Sequence, residues 1–170
     1  PDRAVDMANV FDGALRVGRE LVLVDGCYLR GNPSFDFPPA YRPYTLPPIE
    51  HAPLQRVQKR FDWCLNFNSV RHSATMFANR VPELQAQGVA VMSNDSLSVD
   101  RMYPHVFTVT DADQVGPILD ALSAEELRAH QQLGVRAVME DQTYFEKVAE
   151  LCRDVGLSVH VPPRKLLVVA

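Results

Sequence analysis

Long apolar runs are missing from this 170-residue chain. None approaches the roughly 18–20 consecutive residues needed to cross a bilayer, and no secretory-leader pattern opens the sequence. Cysteine is scarce. Cys27, Cys64 and Cys152 are odd in number and far apart, which argues against a disulfide framework or a zinc-ligand pattern; free thiols of this kind behave as small hydrophobes. A basic excess is lacking too. With 17 Lys and Arg against 21 Asp and Glu, the formal net charge is −4, which argues against a generic nucleic-acid binder. There is no internal repeat and no low-complexity tract beyond one proline-rich stretch. The expectation is a protein without a transmembrane segment in a reducing, cytoplasmic setting, free or at the inner face of the membrane.

What is present fits a globular domain. Hydrophobic residues make up 46% and charged residues 22%, at a length that buries a real core. Ala4, Met7, Val10, Phe11, Ala14 and Leu15 recur at helical spacing and predict a helix over 3–17, with Gly18 as its stop. The run "ELVLVD" (20–25) predicts a strand. The stretch 31–54 holds seven of the 13 prolines and predicts an extended loop, not a regular helix or central strand, with a short helix near 53–60. Strands are predicted at 63–69, 89–93 and 105–109, and a helix at 76–87 closed by Gly88. In the last third, Thr110 with Asp113 resembles a capping box and Ser123 with Glu126 is one. Asp141 is the expected N-cap of a final helix, with Tyr144, Val148, Leu151 and Cys152 facing inward and Gly156 after it. Strands alternating with helices predict an α/β fold, a Rossmann-like parallel sheet flanked by helices. Pro1 and the terminal "PPRKLLVVA" (162–170) read as the edges of a fragment. The expected lobe covers 1–157, and 158–170 is a linker, a tail or the start of a following domain after residue 162.

The segment 66–95, "NFNSVRHSATMFANRVPELQAQGVAVMSND", carries the chemistry. In an open parallel sheet, ligands bind beyond the carboxyl ends of the strands. Asn66, Asn68 and Ser69 fall at that end of one strand, Ser93 and Asn94 at that end of the next. A helix beginning between them offers free N–H groups to phosphate. Ser73 and Thr75 can cap that helix or reach a phosphate oxygen, and Arg71 adds charge. Met76, Arg80 and Glu83 share one helical face. A carboxylate there can accept from two adjacent hydroxyls of a sugar diol. The plainer reading makes Ser73 and Thr75 ordinary caps and Arg80 with Glu83 a solvated surface pair. His72 has no identifiable partner for a catalytic role. Asp25 follows an apolar strand, but no acidic pair or downstream Lys completes a phosphoacceptor site of a flavodoxin-like regulatory domain.

At these residues the chain resembles the C-terminal, donor-binding domain of GT-B-fold glycosyltransferases. It is most similar to the bacterial group related to the spore-maturation protein CgeB. That group has a strand ending in Asn and Ser, then Ser-Pro-Thr-Met-Phe, Arg-Val-Phe-Glu-Leu, a Gly, and an apolar strand ending in Ser-Asn. Its Glu-His-Thr-Tyr at a late helix start stands here as "EDQTYFEKV" (140–148). The resemblance implies one lobe of a transferase that moves a sugar, as in polysaccharide biosynthesis, from a nucleoside-diphosphate sugar to a glycan acceptor. Glu83 falls on the helix glutamate that contacts ribose, and Thr75 and Met76 on the turn whose amides meet the diphosphate. Position 75 holds no second acid. The resemblance implies no metal and no cofactor beyond the donor. It also implies an N-terminal lobe carrying the acceptor, without which this fragment is expected to be inactive. The expected nucleotide-binding residues are therefore Glu83, Thr75, Met76, Ser73, Arg71, Asn68, Arg80 and Asn94; no catalytic residue is assigned. The sequence departs from the pattern at Pro82, at Gln85 and Gln87, and at Gln142. Pro82 belongs in a first helical turn, so the helix starts later, near Asn79, or kinks. These departures also fit a lobe that kept its fold, lost its donor and serves as a docking module.

Overall fold

A computed structural model describes residues 2–28 and 37–160. The part of the proline loop at 31–36 and the terminal run 162–170 lie outside the described residues. The protein is α/β. Helix α1 (Asp2–Arg16) is followed by a short strand β1 (Leu23–Val24), a 3-10 turn (Pro39–Tyr44) and strand β2 (Thr45–Leu46). Helix α2 (His51–Gln58) leads into strand β3 (Trp63–Asn66), helix α3 (Arg80–Ala86), strand β4 (Ala90–Asn94), helix α4 (Leu97–Met102) and strand β5 (Val106–Val109). Helices α5 (Val115–Asp120), α6 (Ala124–Asp141) and α7 (Tyr144–Asp154) complete the order. Strands β3, β4 and β5 form a parallel sheet in sequence order, with Trp63 opposite Ala90 and Val91 opposite Val106. Strands β1 and β2 form a separate parallel pair, Leu23 opposite Thr45.

The period-2 alternation of the strands divides the core. One cluster joins Val10 and Phe11 of α1 to Phe67, Met92, Val109 and Val115, with Trp63 and Leu65 packed against it. Phe11 is its centre, in edge-on contact with Tyr41 and Phe67 at ring distances of 5.1 and 5.8 Å. Tyr41 donates to Asp12 at 2.7 Å; burial, then the bond and charge of Asp12, push its pKa up to about 12. Helix α1 lies so close to the chain before α5 that a Cβ on Gly13 would come within 2.6 Å of the Ala112 carbonyl. The other face carries Val81, Val99, Tyr103 and Val138, so α3, α4 and α6 share it. Helix α6 reaches the amino ends of the strands, where His130 bonds the His105 carbonyl at 3.1 Å and Gln131 donates to the Asp62 carbonyl. Burial holds the His130 pKa below its ordinary value.

Several boundaries differ from expectation. Helix α3 begins at Arg80 with Asn79 as its N-cap, at the later of the two expected starts rather than at 76, because Pro82 is accommodated in a first turn and residues 73–78 are held by side chains instead. The proline stretch contains a 3-10 turn with Pro at its start, and β2 beyond it pairs with β1. Helix α4 has no counterpart in the sequence reading. The capping box before α5 is Asp111 with Gln114, not Thr110 with Asp113. The Ser123–Glu126 box stands as expected. Thr143, not Asp141, caps α7. Tyr144, Val148 and Leu151 face solvent rather than the core, and Ala149 is the buried residue of that helix. Among the described residues, no helix is long and apolar enough to cross a membrane.

Gln85 is buried between α3 and α6, close to where a Cβ on Gly134 would lie, and neither of its amide atoms has a hydrogen-bond partner among the described residues. Each orphaned polar atom costs about 1–3 kcal/mol. Gln85→Leu, which nearly preserves volume, is expected to raise unfolding free energy by about 2 kcal/mol, measured by urea denaturation.

Candidate functional site

An open cleft of about 530 Å³ lies beyond the carboxyl end of β3. Its lining comes from four segments. Asn66 ends the strand and Phe67 and Asn68 follow it. Met76 to Arg80 with Glu83 bring the loop before α3 and that helix's first turn. Arg3 comes from α1 and His51 from α2. Asn66 on the strand and Asn68 just beyond it are both buried. Each donates its amide to Ser93 Oγ at 3.1 Å, while Asn66 Oδ1 has no hydrogen-bond partner among the described residues.

The cleft gathers unpaired charge. Among the described residues, Glu83, Arg80 and Arg3 have no ion-pair or hydrogen-bond partner, and all three are exposed. Arg80 and Glu83 do not form the surface pair that their spacing allows. Arg80 also acts on the thiol of Cys64. Burial pushes that thiol's pKa up to about 11, and the guanidinium offsets part of the rise. His51 shares a 3.0 Å hydrogen bond with Gln55. Two guanidinium groups, an imidazole and one carboxylate thus line the same cleft, side chains able to bind anionic oxygens and hydroxyls.

The expected site residues divide. Glu83, Arg80, Met76 and Asn68 line the cleft; Arg71, Ser73, Thr75 and Asn94 do not. Ser73 Oγ accepts from the Thr75 and Met76 amides at 3.3 and 3.1 Å, and Asn68 Oδ1 accepts from the Ala78 amide at 3.1 Å. The amides expected to meet a diphosphate are therefore bonded within the protein. The short α3 starts beyond them. Arg71 is drawn into ion pairs with Asp95 and with Asp6 of α1. Asn94 is fully buried; its amide donates to Asp6 at 2.7 Å and to the Asn68 carbonyl at 3.1 Å, and its oxygen accepts from the Asn68 N–H at 2.7 Å. Arg71 and Asn94 form a latch that fastens α1 to the strand ends. By holding α1 there, the latch keeps the helix that carries Arg3 beside the cleft.

Sequence reasoning missed Arg3 and His51. Both stand on helices with ordinary amphipathic patterns, and no local signal marks either as a cleft residue. No protein-family model, curated protein or solved structure matches the chain.

Proposed function

We propose that this cleft is the donor subsite of a glycosyltransferase, holding the nucleoside diphosphate of a nucleotide sugar. The sugar would pass to a glycan acceptor presented by another lobe. The observation that carries this reading is the meeting of unpaired Glu83, Arg80 and Arg3 in one cleft at the carboxyl end of a parallel sheet. On this reading the lobe is Rossmann-like and of the GT-B kind. Glu83 accepts from the two ribose hydroxyls. Because the amides of residues 75, 76 and 78 are already bonded, the diphosphate is held by the guanidinium groups of Arg80 and Arg3. Fork-shaped donors suit phosphate oxygens. Stabilising the departing diphosphate is then the catalytic contribution of this lobe, and positioning against the acceptor is that of the other. The reading assigns no metal, since the cationic work falls to arginine.

The test is calorimetric titration of the chain with uridine, guanosine and adenosine diphosphates. One of them is expected to bind with a Kd of about 10–500 µM, and Arg80→Ala is expected to weaken it by about tenfold, the loss of one charge-assisted contact. Flat titrations for all three at millimolar ligand would overturn the proposal. They would favour a second reading, a lobe that has lost its donor and docks other proteins. The already-paired amides of the 75–78 turn support that alternative.

A further inference from the structure

Helix α7 turns its apolar stripe outward, and we propose that this stripe is a self-association surface on which a second copy of the chain docks antiparallel. Tyr144 is 88% exposed, Phe145 77%, Val148 53%, Leu151 62% and Val155 64%, while Ala149 on the inner side is buried. Large contiguous apolar patches are uncommon on monomers and mark interaction surfaces. Tyr144, Val148, Leu151 and Val155 recur at i, i+4, i+7 and i+11, the seam spacing of paired helices.

The residues beside the seam select the occupant. Lys147 and Asp154 flank it on one side, Phe145 and Cys152 on the other. A two-fold axis between Val148 and Leu151 sets Tyr144 against the partner's Val155 and Val148 against the partner's Leu151. The same register brings Lys147 opposite the partner's Asp154 and Phe145 opposite the partner's Cys152. Each contact occurs twice, as an isologous interface requires. A parallel pair would instead set Lys147 beside the partner's Cys152 and leave neither Lys147 nor Asp154 an opposite charge across the interface. Lys147 already holds Glu150 at 3.1 Å, so its ammonium would be shared between that carboxylate and the partner's Asp154. The helix is short, and a weak, reversible dimer is expected, with a Kd of tens of micromolar or roughly so. This inference stands independently of the nucleotide cleft.

Sedimentation velocity on the 170-residue chain from about 5 to 500 µM tests it. Mass rising from monomer to dimer with concentration is expected. Leu151→Glu should raise the dimer Kd by at least about tenfold, since two buried leucines are lost per dimer. Val148→Glu should do the same, and circular dichroism should show both variants folded, since both positions are exposed. Lys147→Asp should weaken the dimer about threefold by opposing like charges, and the double variant K147D/D154K should restore it. A monomer at every concentration would overturn the proposal, whether residues 161–170 or an unrelated partner cover the helix. So would a dimer indifferent to Leu151→Glu, or a charge exchange that fails to restore affinity.

Discussion

Asn94→Leu is expected to lower the unfolding free energy by about 3–5 kcal/mol. Asn94 is fully buried and bonds three groups at once: the Asn68 N–H, the Asn68 carbonyl and the Asp6 carboxylate. Leucine fills nearly the same volume, so packing is largely kept, but the Asn68 N–H and carbonyl are orphaned and Asp6 loses one of its partners. Each buried orphan costs about 1–3 kcal/mol, more when charged. Asp6 keeps its ion pair with Arg71, which limits its share. The sum is a large part of the 5–15 kcal/mol typical of a domain. Urea denaturation followed by circular dichroism measures it. Arg71→Ala, which removes only the partly exposed member of the latch, should cost about 1–2 kcal/mol. A loss below about 1 kcal/mol for Asn94→Leu would show that the latch does not hold α1 to the sheet.

Glu83→Ala is expected to weaken nucleoside-diphosphate binding roughly 30- to 150-fold while leaving the melting temperature almost unchanged. Glu83 is exposed and has no side-chain partner among the described residues, so the fold loses little with it. If its carboxylate accepts from both ribose hydroxyls, removal costs about 2–3 kcal/mol, and ten-fold in affinity corresponds to about 1.4 kcal/mol. A 2′-deoxy nucleotide separates this role from general electrostatics. The unaltered protein should lose affinity for it, and the Glu83→Ala variant should lose nothing further, because the hydroxyl and the carboxylate act as a coupled pair. Equal affinity of variant and parent for the ribonucleotide would remove Glu83 from the site. Tighter binding by the variant would mean that the carboxylate only repels phosphate.

Much of the fold was legible because its signals are local. The apolar alternation of Trp63 to Phe67 and the apolar run from Val89 to Met92 mark strands on any reading. Gly88 marks the end of α3 with a φ of +75°, a conformation side chains disfavour. Pro82 carried the start of α3 as well, since a proline sits comfortably only in a first turn. Other elements left too faint a trace. Helix α4 is six residues long with buried serine at position 98, too short for a periodic signal. The amphipathic pattern of α7 was plain, yet its direction was not. Periodicity shows that a helix has an apolar stripe, and says nothing of what covers it.

The sequence by itself determined the alternation of strands and helices, the parallel α/β class, and a polar strand end followed by a helix bearing Glu83. Only the tertiary structure decided which polar groups face the cleft. It brought Arg3 and His51 there from α1 and α2, and it withdrew Arg71 and Asn94 into contacts with Asp6, far away along the chain. It also spent the turn amides on Ser73 and Asn68. The reason is that backbone conformation follows from near neighbours, whereas the partner of a hydrogen bond or an ion pair is set by distance through space, which the folded core alone establishes.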